Sequence, residues 1–303
     1  MISESTLTRP ASMKASASFQ KWFYLAALTL IWGSSYILIK VGLQGYGYVE
    51  SATLRLMAAG ITFLPLGLRY ITSIPRRKIP LVLLSGMLAM FIPSYLFSLS
   101  QQHLQSSVAG ILVAMTPAFT LIFSVVFFRK TYSFVQVAGL VLGLLCCITL
   151  SVISSGSITF SLNGYVFLIV AATMCYGLNI NVVKQYLSDI PPLHLSAVAV
   201  SINGMIAFVA VFIPNFDRFE FATGTLPSLA ALLTLGILAT ALAQLIHNKL
   251  ISVSSPLFAS TMTYLIPVVA VMWGFLDHEP LVVLHFIAIA GILVSVYMIR
   301  RER

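Results

Sequence analysis

Charged side chains are scarce in this chain: Asp, Glu, Lys and Arg make up 8% of its 303 residues, against about 25% in a soluble domain. Acids are rarer still, at eight, and each lies in a tail, in a loop or at the edge of an apolar run. An intramembrane carboxylate, the usual proton carrier of a pump, is therefore not expected. Cysteine is limited to Cys146, Cys147 and Cys175, all inside apolar runs. Their spacing excludes a disulfide framework and a cysteine metal site, and reads as small buried apolar side chains. The histidines, His103, His194, His247, His278 and His285, are scattered, with no zinc-binding pair and no Ser/His/Asp grouping. No enzyme, metal or cofactor is expected from such a pattern. Long polar stretches are missing too, which leaves no room for a soluble catalytic or receptor domain.

What is present is apolar. The chain is 59% hydrophobic with mean hydropathy +1.00, the composition of an integral membrane protein. A bilayer core takes about 20 residues of helix, and the apolar runs predict ten spans, near 22–42, 50–72, 80–99, 106–128, 133–153, 163–185, 193–214, 226–246, 256–275 and 281–299. Residues 1–20, rich in Ser, Thr and Ala, read as a disordered cytoplasmic tail. The run that follows is too long for the apolar region of a signal peptide.

The net charge of +9 comes without a basic face interleaved with aromatics, so no nucleic acid is expected; the partners implied are the lipid bilayer and a small-molecule substrate. The basic residues are topology signals. With the N-terminus inside, all of the 17 Lys and Arg residues except Lys40, Arg55 and Arg218 fall on the cytoplasmic side, which predicts both termini there.

The first span carries Thr29, Trp32, Ser35, Tyr36 and Lys40 at near-helical spacing, an aromatic and polar stripe on an otherwise apolar helix. A shift of 144 residues lays Thr29 on Thr173, Trp32 on Tyr176, Gly33 on Gly177, Ser35 on Asn179 and Lys40 on Lys184. A shift of 150 lays Gly86 on Gly236 and Pro117 on Pro267. Five spans per half is an odd number, so the second half is expected upside down relative to the first, the inverted-repeat plan of secondary transporters. The fold class is thus all-α and integral to the membrane. It comprises a tail at 1–20, a five-helix repeat at 21–153, a periplasmic linker at 154–162 and an inverted repeat at 163–303.

These motifs carry a resemblance. Trp32-Gly33-Ser34-Ser35-Tyr36 with Lys40, the small residues Ser106, Ser107, Ala109 and Gly110 before Pro117, the matching Ser254, Ser255, Pro256, Ala259 and Ser260 before Pro267, and Glu279 make the chain resemble the EamA-type family of the drug/metabolite transporter superfamily, which includes YddG-like amino-acid exporters. The chain departs from that pattern at Arg129-Lys130, where the family often has an acid, and in span 7, where no arginine answers Arg55. The resemblance implies a multi-pass protein of a bacterial inner (plasma) membrane. It also implies a basket in which spans 1, 3, 4, 6, 8 and 9 surround a central cavity while spans 5 and 10 pack outside. The pairs Gly139/Gly143 and Gly291/Ser295 suit that outer packing.

Mid-span polar residues are the cavity candidates, because lipid does not tolerate them: Trp32, Ser35, Tyr36, Tyr95, Tyr176, Asn179, Gln244 and Tyr264. For the Ser and Thr residues, interhelical hydrogen bonding is the simpler expectation. Lys40 and Glu50 flank the first outer loop as an outer gate or a plain interfacial pair. Lys184 marks the inner end of span 6, and His247 is a titratable or interfacial group at the inner end of span 8. Pro117 and Pro267 are candidate hinges or simple bends. The function expected is export of small amphipathic metabolites, neutral or zwitterionic amino acids first, by alternating access. The alternative is a carrier of anionic or nucleotide-type metabolites, which would require Lys40, Arg55 and Lys184 to face the cavity together.

Overall fold

Long apolar runs with few breakers leave the backbone one way to satisfy its polar groups in lipid, and the chain is helical throughout the described part. The computed structural model describes residues 11–104, 106–155, 164–219, 223–276 and 282–300. Eight helices among them are long and apolar enough to cross a membrane, and two shorter apolar helices cover Phe134–Leu150 and Pro256–Val269. We number the rods in chain order. The first five are α1 (Ala11–Gly45), α2 (Tyr48–Tyr70), α3 (Arg76–Gln101), α4 (106–126, as Ser106–Val113 and Thr116–Val126) and α5 (Phe134–Ser155). The second five are α6 (Val166–Tyr186), α7 (Pro192–Arg218), α8 (Leu226–Val253), α9 (Pro256–Ser260 and Met262–Leu276) and α10 (Val283–Arg300). The first turns of α1 occupy residues 11–20, a stretch the sequence reading gives to the tail. Ala and Lys there are good helix formers, and a helix already nucleated extends at little cost. Residues 1–10, most of the expected linker and Glu279 lie outside the described residues.

The two halves exchange partners. Helix α1 packs against α8 and α9 of the second half, and α6 packs against α3 and α4 of the first. Gly33 and Gly177 explain the equivalence: a Cβ on Gly33 would stand 2.7 Å from Val269 of α9, and one on Gly177 2.8 Å from the backbone of Thr120 in α4. The two motif glycines are thus close-approach sites. Helices α2 and α7 cross at a second related pair, where a Cβ on Gly60 would lie 2.7 Å from Gly204 Cα. Helices α5 and α10 pair on the outside, with Ser295 Oγ donating to the Gly139 carbonyl at 2.6 Å and Gly291 facing Cys146. Cys147 is buried and its thiol points at the Tyr264 carbonyl.

Direction is read from the ends. Arg300 lies over the Trp22 ring at 5.8 Å and Lys249 over Tyr24 at 6.0 Å, so the start of α1 and the ends of α8 and α10 share one face. Lys184 donates to the Ile251 and Ser252 carbonyls at 3.0 and 3.3 Å, which puts the end of α6 on that face as well. Helices α1 and α6 are therefore antiparallel, and Lys40 and Lys184 sit at opposite faces.

Regular α-helix fails in four spans that line the cavity, and also in α7, which does not. Span α4 breaks at residues 114–115 and α9 at Thr261, while π-helical turns cover Met87–Phe91 in α3, Ala207–Phe212 in α7 and Leu235–Leu242 in α8. The π turns of α3 and α8 coincide under the 150-residue shift. Hydroxyls repair the breaks: Thr116 donates to the Val113 carbonyl and Thr261 to that of Phe258, both at 2.7 Å. Thr29, Thr53, Ser94, Thr120 and Thr173 likewise bond the carbonyl three or four residues back. This corrects the expectation of interhelical bonds for most Ser and Thr residues, because a donor on a helix always has a carbonyl of the preceding turn within reach.

Candidate functional site

The stripe on α1 faces inward and forms one wall of a central cavity. Trp32, Ser35, Tyr36 and Ile39 come from α1, Arg55 from α2, and Ala89, Met90 and Phe97 from α3. Val113 and Thr116 follow from α4, Tyr176 from α6, Ala239, Thr240, Gln244 and His247 from α8, and Met262, Thr263 and Ile266 from α9. Helices α5 and α10 contribute nothing, as the basket arrangement implies. The space open to the centre of a water molecule is about 70 Å³. A single water takes about 10–15 Å³ on that measure, so the cavity has room for several water-sized groups, the scale of a small metabolite.

Six of the sequence-predicted residues meet here: Trp32, Ser35, Tyr36, Tyr176, Gln244 and His247. Trp32 Nε1 donates to the Ala239 carbonyl at 2.8 Å. That carbonyl lies in the π turn of α8, where the i−4 ladder is interrupted, so the indole both lines the cavity and holds the irregular backbone. Tyr176 stacks near Phe97 with ring centroids 6.1 Å apart. His247 sits edge-on to Trp32 at 5.3 Å and is buried, with no hydrogen-bond partner for either ring nitrogen. Gln244 is tied one turn along α8 to Asn248, whose amide donates to Ser196 at 2.8 Å.

The remaining candidates are placed elsewhere. Tyr95 shares a hydrogen bond of 3.0 Å with Thr53 and packs on Phe91 at 5.2 Å, between α2 and α3. Asn179 is buried against α3 and accepts from Ser85 at 2.7 Å. Tyr264 is fully buried between α9 and α5, its hydroxyl donating to the Leu140 carbonyl at 2.8 Å. In each case a buried polar tip has found a neighbouring helix, for Asn179 through Oδ1 alone, which is the other solution for a polar group in an apolar bundle. Lys40 is exposed and forms no ion pair with Glu50, whose carboxylate folds back over Gly47 at the start of α2. Lys184 caps the end of α8, as described, and borders a separate hollow with Tyr132 and Ser254 on the face that carries the ends of α8 and α10. Pro117 lies in the first turn after the break in α4, where a missing N–H costs nothing. Pro267 lies within the second piece of α9, and the interruption of that span is at Thr261 instead.

Two features were missed by the sequence reading. The π turns were invisible, although Gly86 and Gly236 just before or within them were noticed as a repeat; both admit a neighbouring helix, α7 and α2 respectively. Arg55, placed by its basic charge among the outer-loop residues, lies two turns inside α2 and lines the cavity. Its Nε donates to Thr240 Oγ1 at 3.2 Å, and Tyr176 lines the same cavity. The signal available was its apolar setting, Ala52-Thr53-Leu54 before it and Leu56-Met57-Ala58 after it.

A model of the EamA-like transporter family matches residues 21–152 and again residues 163–301. The chain belongs to the EamA-like transporter family. The uncharacterized inner membrane transporter YedA of Escherichia coli (strain K12) is 30% identical over 91% of this chain and 89% of its own length. A probable terminal-alkyne amino-acid exporter of Streptantibioticus cattleyicolor is 25% identical over 84% of each chain. A crystal structure covering 94% of this EamA-family chain, and 96% of its own, aligns with a TM-score of 0.72 at 16% identity, which shows the fold. This EamA-family chain is thus a multi-pass membrane transporter, and its inner-membrane relatives place it in the bacterial inner membrane.

Proposed function

We propose that the chain exports small amphipathic metabolites, neutral or zwitterionic amino acids foremost, by alternating access through the central cavity. The observation that carries this reading is the cavity itself: aromatic walls contributed by both halves, a volume suited to a small molecule, and no carboxylate in its lining. In this reading the two shorter apolar helices complete ten spans, both termini are cytoplasmic by the Lys/Arg bias, and the two repeats rock about the α2–α7 crossing. The amino-acid exporter of Streptantibioticus cattleyicolor among the relatives supports the substrate class.

The nucleotide-type alternative needed three cations facing the cavity. Arg55 is there, while Lys40 is exposed at one face and Lys184 is bonded to the end of α8 at the other. Counterflow into proteoliposomes loaded with single amino acids tests the proposal. Accumulation of labelled amino acid without an imposed pH gradient is expected. Flux that stops when a pH gradient is collapsed would refute transport without a carboxylate relay, and uptake of nucleotide sugars alone would refute the substrate class.

A further inference from the structure

We propose that Arg55 is the anchor for a carboxylate on the cargo, so that the cavity takes small amphipathic carboxylates, amino acids among them, in preference to their neutral or cationic isosteres. This rests on the transporter reading above and deepens it.

A guanidinium stays charged under all physiological conditions and offers five N–H donors in a planar fork. Arg55 spends one of them, Nε, on Thr240. Among the described residues no carboxylate pairs with it: the salt bridge found there joins Lys78 to Asp189 near one face. Glu50 is turned toward Gly47 at the start of α2, and Asp217 is exposed. A charge taken out of water without a partner is costly, and Arg55 lines the cavity, where a ligand can supply that partner to the rest of the guanidinium. The fork matches a carboxylate in bidentate fashion, which neither an amide nor an ammonium reproduces.

The surroundings fit the rest of such a molecule. Thr240 holds Nε from the π turn of α8, fixing the direction of the fork, and Tyr36 and Tyr176 line the same cavity. Phe97, Met90 and Ile266 supply apolar wall. A second observation points to the same cavity. His247 shares the face of α8 with Thr240, seven residues and about 10 Å along the axis, and is 97% buried with both ring nitrogens unpartnered. Such groups normally find a partner. The cavity therefore holds one fixed cation at one end and one open polar ring at the other, with aromatic and aliphatic walls between.

The test uses the purified full-length protein in detergent and reads thermal stabilisation and competition across a panel of amino acids, small aryl and alkyl carboxylates, and the matching primary amides. Carboxylates are expected to bind about 10- to 100-fold more tightly than their amides, the worth of one charge-assisted pair. In Arg55→Gln that ratio should fall to about one, and Arg55→Lys, which keeps the charge without the fork, should fall between. Should Arg55→Gln fail to fold, the wild-type ratio and the Thr240→Val variant, which frees Nε and loosens the fork, still decide the matter. Equal binding of carboxylates and amides by the wild type would overturn the anchor while leaving the transporter reading intact. A folded Arg55→Gln that keeps the preference would do the same. Absence of binding and of counterflow for every compound in the panel would instead overturn the amphipathic-metabolite reading itself.

Discussion

Gly60→Ala is the smallest change that tests the packing on which the cavity depends. A Cβ at Gly60 would stand 2.7 Å from Gly204 Cα and 3.3 Å from its carbonyl carbon, whereas carbon atoms in contact prefer about 3.5–4.0 Å. The neighbour is backbone, so no side chain can swing aside, and α2 must move away from α7 by roughly 1 Å. Overpacking of this kind costs about 1–3 kcal/mol, and is partly masked by the gain of about 1 kcal/mol from replacing a helical glycine with alanine. Gly110→Ala supplies the control, since its Cβ would meet nothing within 4 Å and only the propensity gain remains. The difference between the two variants isolates the clash and should be about 1–3 kcal/mol in reversible unfolding from mixed detergent micelles. The double change Gly60→Ala with Gly204→Ala should cost less than the sum, because one displacement relieves both contacts. Transport should suffer as well. Arg55 is five residues before Gly60 on the same helix, so a shift of α2 by about 1 Å disturbs its 3.2 Å bond to Thr240 of α8. If Gly60→Ala were as stable as Gly110→Ala and transported at the wild-type rate, the close α2–α7 crossing would be wrong, and with it the pivot assigned to the two repeats.

Three further outcomes are expected. Trp32→Phe keeps the ring but removes the donor to the Ala239 carbonyl, and should lower stability by about 1–3 kcal/mol and reduce counterflow per folded molecule, measured in proteoliposomes. Tyr264→Phe removes a hydroxyl bonded to Leu140 away from the cavity; it should lower the unfolding midpoint by the equivalent of about 1 kcal/mol and leave flux per folded molecule unchanged. The hydrogen bond from Lys78 holds the Asp189 carboxyl below the usual carboxylate range. Its stabilising effect is present above the ordinary carboxylate pKa and is lost as pH falls through the depressed folded value. The small midpoint difference between wild type and Asp189→Asn should therefore shrink in acid and in high salt.

Much of the architecture is legible because inverted repeats write the same constraint twice. Gly33 and Gly177 recur at one shift because α1 and α6 make equivalent close approaches, and Trp32 and Tyr176 recur because those approaches turn one face of each helix toward the same space. The sequence reading and the structure part where a pattern has two physical solutions. Tyr95, Asn179 and Tyr264 sit mid-span like true cavity residues, but a buried polar tip is satisfied equally by a cavity or by a carbonyl or hydroxyl on the next helix, and only the packing of Thr53, Ser85 and Leu140 selects the second. Arg55 is the same ambiguity in charged form. A cation two turns inside an apolar helix either snorkels to the interface or turns inward, and counting Lys and Arg for topology assumes the first. What decides is Thr240, 185 residues away in sequence, delivered to Nε by a π turn that has no composition of its own. The direction of Arg55 in the cavity thus depends on a contact 185 residues away, and a helix read by itself carries no record of it.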